Sequence, residues 1–420
     1  MRNLLDLLKN KRKFFLTNPF KVFVMQYPSP QEWKKVLNIS DFLDEVLSLQ
    51  IKDINFYIHI PFCDYICKYC SFSKILYKEN FLSEYFKRLE EEIRFWDKIL
   101  NFRKIKIKTI FIWWGTPTVL SERYIYRLWE IFYKYWIFTG WEFTIETNPD
   151  RIKRNTFKAW RDIWVNRISI WVQTFDRSIL SRYWRNYIKL QHLIDKIEIL
   201  KGLWYWNFNL DFIYGFEGQD LKSIERDLLN IFKILPTHLS FYPLILYNKK
   251  VNVYQLADFF DKLEKNYNFI LEFLRNKYKF YTLEYATLIW QENKQHIYQV
   301  NYLSGENVLW IWPSAFSFLG YLWFKNNFTF FKRLNSKFFV DLYFNVRDEK
   351  LFYERLFIMW LRLNKFQKEV VDKLLSFYGF EIEYFVKNFC TFENNFYYIR
   401  NNLKKYQNLL IYYFYNLFRW

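Results

Sequence analysis

The sequence predicts an α/β fold, a parallel sheet with helical crossovers followed by a largely helical C-terminal region. Three observations predict it. Short apolar runs alternate with segments of helical spacing from Asn55 to Tyr242, the pattern of a barrel or an open α/β sheet. At 420 residues the chain has room for two or three domains. The glycine-containing and polar motifs fall just after the apolar runs, at the strand ends where ligands bind in both architectures.

Taken in order, residues 1–50 read as one or two short helices, broken at Tyr27-Pro28-Ser29-Pro30. Phe56 to Ile60 is a short apolar strand running into Pro61. Asn80 to Ile99 carries Phe81, Tyr85, Leu89, Ile93 and Trp96 at helical spacing on one face. Thr109 to Trp113 reads as a buried strand and Glu122 to Tyr135 as a helix. Glu142–Glu146, Arg167–Val172, Phe208–Tyr214 and His238–Tyr242 are further strands, most followed by helices. Residues 250–300 are charged and read as helical, 304–317 as a loop-rich stretch. Beyond Asn335 the chain reads as a separate helical domain with a strand-like piece at Phe396–Ile399.

The net charge is +19, but the basic residues are scattered rather than clustered. They therefore read as a solvated surface, and no nucleic-acid partner is expected. No stretch reaches the roughly 18 uninterrupted apolar residues of a membrane span. The basic start, MRNLLDLLKNKRKFF, lacks a signal peptide's apolar core and cleavage site. A cytoplasmic location is expected, with peripheral membrane contact left open.

Three of the four cysteines lie within eight residues, which argues for a metal site in a reducing compartment rather than a disulfide framework. Cys63, Cys67 and Cys70 form C-x3-C-x2-C after the first predicted strand. Three thiolates can hold three irons of a [4Fe–4S] cubane and leave the fourth open, unlike the four-cysteine sites of electron carriers. A structural zinc site would want a fourth ligand, and Cys390 is distant in the chain.

The run Tyr57-Ile58-His59-Ile60-Pro61-Phe62-Cys63, continuing through Cys67, Tyr69, Cys70 and Phe72, resembles the radical S-adenosylmethionine (SAM) group that contains oxygen-independent coproporphyrinogen oxidase and the heme chaperone HemW. The likeness continues in order. Ile112–Thr118 resembles F-G-G-G-T-P-T, Thr144–Pro149 resembles E-A-N-P, and Asn166–Phe175 resembles N-R-x-S-x-G-V-Q-S-F. Asn209–Gly215 resembles I-D-L-I-Y-G, Leu309–Ala315 resembles L-G-I-G-P-G-A, and Met359–Leu363 resembles M-L-G-L-R-L. The resemblance implies a radical SAM partial (β/α) barrel with a largely helical C-terminal domain. It implies an extension over 1–50, a radical SAM core over 51–250, a connecting region over 251–334 and the C-terminal domain over 335–420.

It also implies site residues. Cys63, Cys67 and Cys70 would hold the cluster. Tyr57 and Tyr69 would flank SAM, Gly115 and Thr116 would offer it backbone groups, and Glu146, Gln173, Arg185 and Asp211 would hold its polar groups from successive strand ends. Implied partners are heme or a porphyrin and an electron donor such as flavodoxin or ferredoxin. The oxidase has a further cysteine two residues beyond the third ligand; Phe72 stands there, which points to the chaperone side. The chaperone's H-N-x-x-Y-W motif is reduced here to Tyr298–Leu303, which keeps only Tyr302, and its G-A-H is Ser314-Ala315-Phe316. Nearby His296 reads as a lone surface histidine. Heme is thus a further candidate ligand rather than one the motifs carry. The long N-terminal extension is closer to the oxidase layout. A heme-holding chaperone and a radical enzyme acting on a porphyrin both stay open.

One departure is systematic. Glycine normally supplies about 7% of residues, roughly 29 in a chain of this length, yet there are 8 glycines and 19 tryptophans. Trp113, Trp114, Trp164, Trp171, Trp184, Trp204, Trp310, Trp312 and Trp360 sit where the resembled family has glycine. Either the SAM site is plugged by indoles, or some of these codons are UGA, decoded as glycine by the organism.

Overall fold

A computed structural model describes residues 34–35, 39–70, 72–244, 253–277, 281–284, 288–291, 296–312, 316–326, 340–345, 349–363, 365–400, 410–411, 413–414 and 417–418. The expected break at Tyr27–Pro30 and the Ser314-Ala315 pair lie outside them.

Six parallel strands form the core: β1 (Asp53–His59), β2 (Lys106–Trp113), β3 (Glu142–Thr147), β4 (Arg167–Gln173), β5 (Asn207–Tyr214) and β6 (His238–Pro243). They lie side by side in chain order, as successive right-handed crossovers place them in a partial (β/α) barrel. All six residues of β3 are buried, and β1 is buried from Ile54 to His59. Burial on both faces explains the continuous apolar runs seen in the sequence.

The crossovers are helices α2 (Asn80–Leu100), α3 (Glu122–Lys134), α4 (Arg154–Asp162), α5 (Arg177–Arg182), α6 (Leu190–Lys201) and α7 (Leu221–Ile234), with α1 (Ile39–Ser48) preceding β1. In α2 the buried Leu82, Tyr85, Phe86, Leu89, Ile93 and Trp96 recur at three- and four-residue spacing, one apolar stripe laid on the sheet. Side-chain carboxylates start two of them: Asp176 accepts from Ser178 and Ile179 N–H at α5, and Asp220 from Ser223 N–H at α7.

Beyond β6, α8 (Val253–Lys277) is followed by β7 (Tyr281–Glu284) and β8 (Leu288–Gln291), an antiparallel pair joined to β6. This corrects the all-helical expectation for 250–300. The stretch expected to be loop-rich holds strands too: after α9 (Ile297–Leu303), β9 (Val308–Ile311) pairs parallel with β1, and β10 (Phe316–Leu319) and β11 (Leu322–Asn326) continue antiparallel. β12 (Val340–Asn345) adds to β11 and pairs with Lys34–Lys35, so the sheet runs past Asn335. Isolated strands of four to six residues show too little periodicity to be told from loop; they form here because β1 and β6 leave the two edges of the core sheet free to pair.

C-terminal helices α10 (Glu349–Leu361), α11 (Lys368–Tyr378) and α12 (Phe380–Phe389) pack with a small sheet in which Lys365–Gln367 and Cys390–Glu393 flank Phe396–Ile399. The expected strand at Phe396–Ile399 is present. Among the described residues no helix is long and apolar enough to cross a membrane.

Candidate radical SAM site

The cysteine loop leaves the end of β1 and is stitched to its surroundings by backbone. Ile75 and Tyr77 N–H donate to Pro61 and Cys63 carbonyls at 2.8 Å each, and Cys70 N–H donates to Cys67 O at 3.2 Å. Thr116 N–H, beyond the end of β2, donates to Phe62 O at 2.7 Å. Gly115 has φ +61°, and a Cβ there would overlap the carbonyl oxygen of Ile60 and lie 2.9 Å from Phe62 N and O. Its lack of a side chain therefore seats the cysteine loop against the β2 end.

All four cysteines are free, Cys67 and Cys390 buried and the other two half-buried. Burial pushes the Cys63 thiol up to about 12 and raises that of Cys70, against the nearby Lys74 cation. Both thiols are thus costly to ionise without a cation beside them, as iron would be. Among the described residues no three His, Cys, Asp or Glu side chains are grouped to hold one metal ion; a cubane takes its three thiolates on separate irons, which suits this loop. Arg185, just beyond α5, donates to the Trp171 carbonyl and reaches Cys67 Sγ at 3.8 Å. The structure therefore brings Arg185 to the cysteine loop. Asp64 of the loop is clamped by a bidentate ion pair with Arg151. Sequence reasoning missed this clamp, since the two are distant in the chain.

The other expected residues face the strand ends and interior. Tyr57 is fully buried in β1, and Glu146, Gln173 and Asp211 are buried in β3, β4 and β5. Buried side-chain atoms without a hydrogen bond include Tyr57 Oη, Tyr69 Oη, Glu146 Oε2, Gln173 Oε1 and Asn148 Oδ1. Orphaned buried polar atoms are rare in native proteins. Other orphans lie elsewhere, at Trp96 and Arg355 for example, so it is the placement of these five at the barrel mouth, on the cysteine loop and the core strands, that fits the polar groups of SAM. Asn148 lies inside the E-T-N-P motif and could have been singled out there; its amide donates to Thr116 Oγ1 at 3.2 Å.

Asp211 is held by Ser169 Oγ at 2.6 Å, and Asn209 donates to that same Ser169 oxygen at 2.7 Å. Burial raises its carboxyl to about 6 despite these bonds. Glu146 is pushed well above the usual carboxylate range, first by burial and then by the Asp211 charge. Two such carboxyls favour a cationic ligand, which would restore their ionisation.

His296 is not on the surface. It is buried before α9, its ring 5.0 Å from that of Phe111 and its Nε2 3.5 Å from Glu142 Oε1. Burial, then the charge of Arg167, pulls its pKa well down. A position preceding a short helix gave no periodic sign of this burial.

Indoles crowd the same mouth. Tyr57 stacks on Trp310 at 4.3 Å, Trp114 lies 5.7 Å from Trp310 and 5.4 Å from Trp113, and Phe72 stacks on Trp114 at 4.5 Å. The donor set fits the cluster and the orphan atoms fit SAM, but these rings stand in the intervening space.

A three-cysteine loop after the first strand of a partial barrel is the architecture of a radical SAM protein, and residues 57–230 match the Radical SAM superfamily. The heme chaperone HemW of Lactococcus lactis is 32% identical over 278 residues, 64% of this chain and 71% of that one. The oxygen-independent coproporphyrinogen III oxidase of Salmonella typhimurium is 26% identical over 218 residues, 51% of this chain and 47% of that one. The chain belongs to the radical SAM family of HemW and oxygen-independent coproporphyrinogen III oxidase. The structure of coproporphyrinogen III oxidase (HemN) from Escherichia coli superposes with a TM-score of 0.78 at 16% identity, covering 94% of this chain and 96% of that one. It shares the fold. The curated matches span from about half to under three quarters of their relatives' lengths.

Proposed function

We propose that the chain is a HemW-like protein that holds a [4Fe–4S] cluster on Cys63, Cys67 and Cys70, binds SAM, and acts in heme trafficking or porphyrin metabolism in the cytoplasm. The observation that carries the SAM reading is the set of orphaned polar atoms at the barrel mouth, from Tyr57, Tyr69, Glu146 and Gln173. A cluster with one open iron supplies one-electron cleavage of SAM when both are bound. The chain's own residues position and charge-balance the ligand. Glu146 and Asp211 would face its ammonium, sulfonium and ribose hydroxyls, Tyr57 and Tyr69 would flank it, and Gln173, Gly115 and Thr116 would offer amide and backbone groups. Arg185 would offset thiolate charge at Cys67, which its guanidinium already reaches.

The chaperone relative at 32% identity supports heme or a porphyrin as partner. A flavodoxin or ferredoxin as electron donor, no nucleic-acid partner, the division at residues 50, 250 and 334 and a peripheral membrane contact belong to the same reading. A second reading, a radical enzyme of the coproporphyrinogen dehydrogenase type, is favoured by the oxidase relative at 26% identity. Product analysis after anaerobic reconstitution separates them. A chaperone transfers heme without stoichiometric SAM cleavage; an enzyme forms 5′-deoxyadenosine in step with porphyrin loss. Neither heme transfer nor SAM cleavage would overturn both.

A further inference from the structure

We propose that the protein made in its own cell carries glycine, not tryptophan, at positions 114, 136, 164, 184, 204 and 312, the codons being UGA read as glycine. The backbone carries this inference. All six have positive φ: 60° at Trp114, 59° at Trp136, 77° at Trp164, 56° at Trp184, 66° at Trp204 and 91° at Trp312. Among described non-glycine residues, six others do so, three of them asparagine. Asparagine is the side chain expected there after glycine, because its short polar group bonds locally; a bulky aromatic is an outlier. Tryptophan, 19 of 420 residues, has no chemical reason to supply half of such positions.

Four of the six repeat one device. Trp136, Trp164, Trp184 and Trp204 follow α3, α4, α5 and α6, the ends of four successive crossover helices. Each tryptophan donates its N–H three residues back: to Tyr133 O at 3.4 Å, Arg161 O at 2.9 Å, Ser181 O at 3.2 Å and Lys201 O at 2.9 Å. The next residue donates five back: Ile137 to Phe132 O at 2.9 Å, Val165 to Trp160 O at 3.1 Å, Arg185 to Leu180 O at 3.0 Å and Tyr205 to Leu200 O at 3.0 Å. This is the Schellman motif, in which the left-handed residue past the helix is most often glycine. The indoles gain little burial in return, being 49, 66, 63 and 71% exposed. Arg103 over Trp136, Trp129 against Trp164 and Lys68 over Trp184 are surface contacts, and a cation over a ring is weakly held at an exposed site. A tryptophan selected for its ring would bury it, as Trp96 and Trp160 do inside helices.

The other two follow strands of the large sheet. Trp114 adjoins Gly115, itself at φ +61°, in the turn after β2. Trp312 follows β9 at a φ of 91°, where glycine is the natural occupant; its ring is fully buried against Tyr85, so this position rests on the backbone alone. Glycine at 114 removes the ring that stacks on Phe72 and abuts Trp310 and His59. The consequence for the ligand, that this opens the space beside the orphaned Tyr57 and Glu146 atoms, rests on the function proposed above. The geometry of the four helix ends does not. Trp136 is the position that the family resemblance alone did not reveal.

The test is peptide mass spectrometry of the protein purified from its own organism, with the gene sequenced in parallel. Glycine at the six positions and tryptophan at Trp96 and Trp160 is the expected result; tryptophan at the six overturns the proposal. Two recombinant chains give an independent reading, one as written and one with the four helix-end positions Trp136, Trp164, Trp184 and Trp204 changed to glycine. The glycine chain should melt roughly 2 °C higher for each helix-end position relieved of left-handed strain. A lower melting point for it would count against the proposal. Anaerobic SAM titration then separates the two ideas. Glycine in the native protein, without SAM binding by a cluster-loaded chain in which Trp113, Trp114, Trp171 and Trp310 are glycine as well, supports the glycine assignment and removes the ligand reading alone.

Discussion

Replacing Gly115 by alanine adds one methyl group at the point where the β2 end meets the cysteine loop. The new Cβ would overlap Ile60 O and stand 2.9 Å from Phe62 N and O, all of them backbone. None of these atoms can swing away as a flexible side-chain tip would. Phe62 O already accepts from Thr116 N–H at 2.7 Å, so a retreat of the loop breaks a bond as well. The left-handed φ of +61° costs a non-glycine residue roughly 1–2 kcal/mol, and overpacking adds about 1–3 kcal/mol. The sum, about 2–5 kcal/mol, is a large share of a typical folding stability. Urea denaturation of the Gly115→Ala chain should show this loss, and iron content after anaerobic reconstitution should fall, because the strain is released by displacing the loop that carries Cys63. A variant within about 0.5 kcal/mol of the parent, with full iron, would refute the claim that Gly115 seats the loop.

Cys63→Ala, Cys67→Ala and Cys70→Ala should each abolish the reconstituted cluster, measured as iron and sulfide per chain, while Cys390→Ala should keep it; equal losses would dismiss the three-cysteine assignment. Glu146→Ala and Asp211→Ala should leave the cluster in place and weaken SAM binding by about 1.5–3 kcal/mol each, read by calorimetric titration. Unchanged affinity in both would make these carboxyls structural. The raised Asp211 carboxyl, about 6 against 3.8, also predicts a pH dependence without ligand. The folded chain binds the proton more tightly than the unfolded one, so this group's contribution is greatest at low pH and is lost as pH rises towards 6 and beyond. Between pH 5 and 7 the loss is about 1 kcal/mol, and Asp211→Asn should remove that part of the slope in urea midpoints. An identical slope in both chains would place the raised carboxyl elsewhere.

The core strands and the cysteine loop were legible because their signals are local. β1 to β6 are apolar runs buried on both faces, and a cluster loop needs its thiolates close together in the chain. The edge strands were not legible. Val308–Ile311 is a four-residue piece that becomes a strand by pairing with Asn55–Ile58. His296 misled for a related reason: its burial comes from Phe111 and Glu142, far away in the chain.

The sequence alone determined the spacing of the three cysteines, the order of the motifs and the excess of tryptophan over glycine, since each is a matter of residue type and spacing. Only the tertiary structure decided what those residues touch. It brought Arg185 to Cys67 and the Trp171 carbonyl, set Gly115 against Ile60, and left Tyr57, Glu146 and Gln173 with buried polar atoms unbonded. It also revealed that four exposed tryptophans end four helices in a left-handed turn. Such facts depend on which strands become neighbours and which way the backbone turns, and these are settled by burial and by hydrogen bonds closed across long stretches of chain.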